Sequence, residues 1–464
     1  MALHRIRKGL DIPIAGEPRQ ALGTAPPPTS VALVPRDHVG LRPRMLVQVG
    51  DAVRRGQPLF EDKSTPGVLY TSPAAGRVAA VHRGERRAYE SVVIELSERE
   101  RAGEPGPDEL QEFRAFAGKD PAGLSPDAIE ALLLESGLWT SFRTRPFGKV
   151  PAPGSRPRSI FVAAMNTHPL AADVDVAVAG REAAFAAGVR CVARLVAPGS
   201  SCGATFVCLR PGSRLREFSP EGVRVEEFEG PHPAGTPGLH IHVLDPVCRG
   251  KTVWYLDYED AIAIGTLFLT GRLDPRRVVS LAGPAVRDPR LLWSRLGASV
   301  DELVRGELLA GDLRVVSGSV LTGREARGPV RGYLGRHHLQ VTALEEGRKR
   351  EFLGWLAPGW DKFSVIPMFL SRLRPRRAFA FTTSMNGSRR PIVPFGTYER
   401  VFPFDMVATY LLRAIASGDV EEAEKLGCLE LEEEDVALAS FVCPGKNDFG
   451  SLLRKVLDSI EQEG

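Results

Sequence analysis

VGDAVRRGQPLFEDK (residues 49–63), followed by YTSPAAGRVAAVHRG (70–84) and SVVIEL (91–96), decides how the N-terminal part of this chain folds. Short β-prone runs alternate with Gly-Asp and Gly-rich breaks that supply turns, so the pattern predicts a small two-sheet sandwich over residues 31–96. Working outward, 464 residues exceed what one hydrophobic core organises, and several domains are expected. The longest uncharged apolar stretch, AIAIGTLFLTG at 261–271, is well short of the roughly 20 residues that cross a bilayer. Residues 1–16 carry basic side chains but no apolar core of a signal peptide. These features lead to the expectation of a cytoplasmic chain whose contact with a membrane is peripheral. A formal charge of +3 is too small for a dedicated nucleic-acid binder, although Arg374, Arg376, Arg377, Arg389 and Arg390 form a local basic cluster that reads most simply as solvated surface. Cys191, Cys202, Cys208, Cys248, Cys428 and Cys443 include no CxxC pair and are read as buried free thiols.

The sandwich resembles the lipoyl and biotinyl carrier fold. Lys63 stands ten residues before Pro73 rather than at the modified hairpin lysine's spacing, so the sandwich is read as structural. After a Pro- and Gly-rich linker at 101–125, Ser125-Pro126-Asp127 starts a helix, with the hydroxyl as cap and proline in the first turn. SIFVAA (159–164) predicts a buried parallel strand, 174–187 a helix and 191–196 the next strand, a βαβ pattern. RVVSLAGPAV (277–286) and RVVSGSVLTG (314–323) bracket a compact β-grasp unit, and 332–344 adds another strand. From residue 403 the pattern turns helical, and the acidic run between Asp419 and Asp435 is read as a solvated helix face. The predicted fold class is multidomain α/β: a lipoyl-like β-sandwich with an N-terminal strand (1–104), a Rossmann-like α/β domain (105–256), a β-grasp domain of the SLBB type (257–330), and a mixed segment leading to a C-terminal helical domain (331–464).

CLELEEEDVALASFVCPGK (428–446) reads like an iron–sulfur segment that has lost half its ligands. A four-iron cluster takes four closely spaced thiolates ending in Cys-Pro, and here only Cys428 and Cys443 remain. With KGLDIPIAG (8–16), SGLWTSFRTRPFGKVP (136–151), GPHPAGTPGLHIH (230–242) and VVSLAGPAV (278–286), this segment resembles the A subunit of the sodium-translocating NADH:quinone reductase, in the same order from end to end. The resemblance implies a peripheral component on the cytoplasmic face of the bacterial inner membrane. It also implies a complex that oxidises NADH, reduces ubiquinone and exports sodium. Its partners would be the other subunits, chiefly the membrane-embedded B subunit, and ubiquinone.

The same architecture resembles the flavin-binding subunit of respiratory complex I and the C subunit of Rnf complexes. In those relatives the loop at 139–149 is glycine-rich, because backbone amides must approach the flavin phosphate. Here Trp139, Phe142, Arg143, Arg145, Pro146 and Phe147 stand there, and Asn166-Thr167-His168-Pro169 replaces an acidic Glu-Cys-Glu-Pro. The expectation is that this chain binds no flavin, cluster or metal and carries no catalytic residue. The complex would supply NADH, flavins and iron–sulfur chemistry. Trp139, Phe142 and Phe147 either plug the vacated pocket or form flat walls for a quinone, with Arg143 or His232 as donor. His232, His240 and His242 read as histidines bonded to nearby Pro-Gly turns or, less simply, as metal ligands, with His240 and His242 on one face of a strand. Besides the pump subunit, two readings stand: an assembly scaffold that never meets quinone, and an Rnf-like electron-transfer subunit.

Overall fold

IFVA at Ile160–Ala163 and the first four residues of VWYLD at Val253–Asp257 are unbroken apolar runs, the pattern of strands covered on both faces. In the computed structural model, which describes residues 2–197, 203–348, 353–374 and 377–463, they are neighbours at the centre of a six-stranded sheet. Its order is Leu3–Arg5, Arg224–Glu229, Thr205–Leu209, Ile160–Ala163, Val253–Asp257 and Arg143–Arg145, parallel except for the last. Connections run one way from Ile160–Ala163 and the other way to Val253–Asp257. The topological switch point therefore lies between these strands, where doubly wound sheets open a crevice at the carboxyl ends.

The N-terminal sandwich packs a four-stranded sheet (Ser30–Leu33, Tyr89–Leu96, Gly76–Arg83, Ala52–Val53) against a three-stranded one (Pro43–Met45, Pro58–Asp62, Leu69–Thr71). The β-grasp sheet is built around Arg276–Ala282, but it recruits Arg19–Thr24 at one edge and includes Gln340–Glu345 in its interior. The unit drawn at 257–330 thus gains strands from both sides. It loses the helix Tyr258–Thr270, which packs instead on Glu182–Ala193 beneath the six-stranded sheet. Four C-terminal helices, Ala408–Ser417, Val420–Lys425, Glu433–Val442 and Phe449–Glu463, enclose a core of Leu411, Leu412, Val436, Leu453 and Leu457.

Several local expectations fail for identifiable reasons. The helix read at 174–187 is two helices, Val174–Val178 and Glu182–Ala193, because Gly180 turns the chain at φ +79°. Residues 191–193 end the second helix and 194–196 turn out of it rather than forming a strand; Cys191, Val192 and Leu195 are buried in the core. The strand is TFVCL at Thr205–Leu209. His240 and His242 lie on a helix, Pro237–Leu244, started by proline in its first turn. Cys248 is exposed, unlike Cys191, Cys208, Cys428 and Cys443, while Cys202 and Arg376 lie outside the described residues.

The helices Glu182–Ala193 and Tyr258–Thr270 cross with their backbones nearly touching. A Cβ on Gly188 would lie 1.8 Å from the Ala261 carbonyl oxygen, and one on Gly265 1.7 Å from that of Ala184. Gly265→Ala therefore forces the helices apart, and urea unfolding is expected to show a loss of at least about 1–3 kcal/mol.

The linker after the sandwich is held by one buried carboxylate. Glu100 pairs with Arg55 at 2.7 Å and with Arg295 of the β-grasp sheet, and accepts from the Ala75 amide at 3.1 Å. Burial alone would raise its pKa, but Arg295 and Arg55 outweigh it and hold the carboxyl below its ordinary 4.5. A depressed carboxylate stabilises the fold above the unfolded-state value, and that contribution is lost as pH falls through the folded-state value. Glu100→Gln should consequently melt lower than wild type at pH 7, with the gap narrowing as pH drops below about 4.5.

Candidate functional site

The turn after helix Pro126–Ser136 carries Trp139 and Phe142 into the core, where each is 0 % exposed. Their rings meet each other at 5.5 Å between centroids and Trp254 at 5.3 and 5.4 Å, and the Trp139 indole N–H donates to the Pro151 carbonyl at 2.7 Å. These aromatics are sealed against one another. Arg143, on the following edge strand, stacks its guanidinium 4.4 Å above the Tyr255 ring. Phe147 packs against the C-terminal helical core, and His232 lies with its ring 4.8 Å from His168. The five residues singled out as quinone contacts thus disperse over four environments.

What the loop does bring together is charge. Arg145 is wholly buried, and its Nη1 donates to Asp435 Oδ2 at 2.7 Å and to the Glu430 carbonyl at 2.6 Å. Its Nε lies 3.1 Å from Glu432 and its Nη2 3.6 Å from Glu434. Tyr255 donates its hydroxyl to Glu432, and the Glu432 amide donates to Asp435 at 2.9 Å. Glu432 and Asp435 are buried, so this end of the acidic run is no solvated face. The sequence feature that places it is the helix start at Glu433: carboxylates there meet both the positive helix end and Arg145. Buried among like charge, Asp435 is pushed up to about 6 despite Arg145. The cluster joins the α/β domain to the C-terminal domain, and His168 approaches Glu434 at 3.9 Å.

The other histidines also serve as structural bonds. Ala234 accepts from His240 Nε2 at 3.0 Å within the Pro-rich turn, and burial lowers that imidazole to about 4. His242 Nε2 accepts from the Asp405 amide at 2.8 Å, which leaves the proton on Nδ1 to bond Glu430 at 2.8 Å. Cys428 and Cys443 sit in unlike surroundings. Burial pushes Cys428 up to about 12. At Cys443 burial is outweighed by hydrogen bonds shared with Tyr398 at 3.1 Å and received from the Asn447 amide at 3.4 Å, which hold the thiol below its ordinary value. No group of three or more His, Cys, Asp and Glu side chains suited to a metal occurs among the described residues.

A cleft of about 510 Å³, solvent included, opens where the sandwich, the α/β domain and the β-grasp domain meet. Leu33, Leu138, Leu273 and Leu296 give it apolar walls, Tyr70 a ring, and His38, Arg55 and Arg336 polar atoms. Its lining comes from widely separated segments, which is why no local motif announced it. His38 is lowered to about 3, chiefly by burial and then by Arg336, so it is neutral and its Nδ1 is buried without a hydrogen-bond partner among the described residues. Arg336 also bonds Asp260 at 2.8 Å and Ser141 at 2.8 Å, joining the β-grasp domain to the turn that holds Trp139.

A barrel-sandwich domain, an α/β domain and a β-grasp domain in this order define a multidomain α/β protein. The chain matches the family models for the NqrA N-terminal barrel-sandwich hybrid domain (residues 4–97), the NqrA second alpha/beta domain (124–273) and the NQRA C-terminal domain (278–328). It is 53% identical to the A subunit of the Na(+)-translocating NADH-quinone reductase of Serratia proteamaculans, over 99% of this chain and 100% of that one. Identity to the corresponding subunit of Cellvibrio japonicus is 51% over the same shares, and to that of Rhodopirellula baltica 50% over 99% and 98%. The chain belongs to the NqrA family, the A subunits of the Na(+)-translocating NADH-quinone reductases. An NAD+-reducing [NiFe]-hydrogenase structure is similar over 53% of this chain and 51% of that one, at 17% identity and a TM-score of 0.35.

Arg145→Met leaves buried carboxylates without their counter-charge, a change that typically costs about 3–5 kcal/mol. Chemical denaturation of the variant should show a loss of this order, and hydrogen exchange should place the earliest opening at the Glu433–Val442 helix.

Proposed function

We propose that this chain is the peripheral A component of a complex that couples NADH oxidation and ubiquinone reduction to sodium export. Full-length identity of about half its residues to subunits of that name carries the reading. No helix among the described residues is long and apolar enough to cross a membrane, in keeping with a component held at the cytoplasmic face by the membrane-embedded B subunit. The chain carries no flavin or cluster: Trp139 and Phe142 fill the loop that a flavin phosphate would approach.

Quinone contact belongs to the three-domain cleft rather than to the sealed Trp139 and Phe142. A quinone needs flat apolar walls and hydrogen-bond donors for its carbonyls. The cleft offers leucines, the Tyr70 ring, and the neutral His38 imidazole with the Arg336 guanidinium beside it. The sealed aromatics favour the alternative of a scaffold that never meets quinone, and one experiment separates the two.

Ubiquinone with a short tail is titrated against the purified chain and followed by tryptophan fluorescence, after absorption spectroscopy and iron and flavin analysis. The expected result is a colourless protein with saturable one-site quenching that Leu138→Trp abolishes at unchanged melting temperature. Absence of saturable quenching leaves the scaffold reading, and stoichiometric iron or flavin overturns the cofactor-free one.

A further inference from the structure

Half of the large apolar side chains exposed by the described residues fall between Leu353 and Phe395. Met368 is 76 % exposed, Leu373 64 %, Phe395 63 % and Leu356 62 %. Exposed apolar side chains concentrated in one segment point to an interaction site. Over the same stretch, residues 353–395, the sequence holds seven Lys and Arg residues and one carboxylate, Asp361. Between residues 353 and 395 the described residues form two single-turn 3₁₀ helices, Gly354–Leu356 and Leu370–Leu373, and no α-helix or ladder strand.

This irregular segment is nevertheless anchored. Phe363, Phe379 and Phe381 cluster with Phe441 of the C-terminal domain, at 5.4 to 6.2 Å between ring centroids. The Phe379 amide donates to the Pro13 carbonyl at 2.7 Å, and its carbonyl accepts from Ala15 at 2.8 Å. Arg374 stacks 5.4 Å from the Trp360 ring, whose backbone carbonyl accepts from Arg377 at 2.6 Å. The anchor fixes one side of the segment, while Met368, Leu373 and the exposed Arg372, Arg389 and Arg390 remain outward.

Two kinds of occupant match apolar side chains mixed with cations: an anionic lipid surface and an acidic polypeptide. The backbone decides between them. A segment without helix or ladder carries peptide groups that hydrocarbon cannot satisfy, whereas a second polypeptide can bond them. The side chains agree, since Arg, Met and aromatic residues are enriched at protein interfaces while Lys, Asp and Glu are depleted. We infer that residues 353–395 are the docking surface for an apolar, carboxylate-bearing polypeptide segment of another component of the same complex. The inference rests on the assignment of this chain to the pump and adds the face through which it assembles.

The test uses the whole complex, purified from membranes in mild detergent with the tag on a component other than this one. Met368→Glu with Leu373→Glu, and separately Arg389→Glu with Arg390→Glu, should each lower the amount of this chain retained at least tenfold. The isolated variants should keep the wild-type melting temperature. A benzophenone amino acid at position 368 should cross-link to a polypeptide of the complex. Purified full-length chain should not sediment with vesicles of phosphatidylcholine and phosphatidylglycerol. Full retention of both variants overturns the docking surface while leaving the assignment to the pump intact. Wild-type chain that never co-purifies overturns both. Salt-sensitive binding to the phosphatidylglycerol vesicles without a polypeptide cross-link overturns the protein partner in favour of lipid.

Discussion

A guanidinium taken out of water must be met by negative charge, and Arg145 sets this requirement at the centre of the molecule. Its edge strand belongs to the α/β domain, whereas Glu432, Glu434 and Asp435 begin a helix of the C-terminal domain. The two domains are therefore matched by electrostatics at one point before apolar packing extends the contact. Close backbone approach follows from it: a Cβ on Gly238 would lie 2.1 Å from Asp435, and one on Gly148 2.6 Å from Glu432. Glu100 and Asp260 meet the same requirement elsewhere, each joining the β-grasp domain to a neighbour through arginine.

What was legible in the sequence follows the range of the signal. The sandwich turns, the Ser125 cap, the SIFVAA strand and the C-terminal helices depend on near neighbours, and they form where the residues place them. The reading of 191–196 as a strand failed because Cys191, Val192 and Leu195 suit the buried face of a helix as well as a pleat, and only packing decided. Recruitment of Arg19–Thr24 into the β-grasp sheet joins strands more than 250 residues apart, which no local pattern encodes.

The candidate site divides in the same way. Trp139 and Phe142 stood out by residue type alone, and the structure buries both completely. The acidic run near Asp435 was misjudged because composition cannot distinguish carboxylates facing water from carboxylates facing Arg145. The three-domain cleft escaped notice because its walls are assembled from distant segments, with a neutral histidine whose state depends on burial.

The triple engagement of Glu100 reaches beyond local stability. One carboxylate bonds a sandwich arginine, a β-grasp arginine and a sandwich amide, so neither domain separates from the other without stranding it. Modules that other contexts use as independent beads become thermodynamically inseparable here, and heat should unfold them as a single cooperative body.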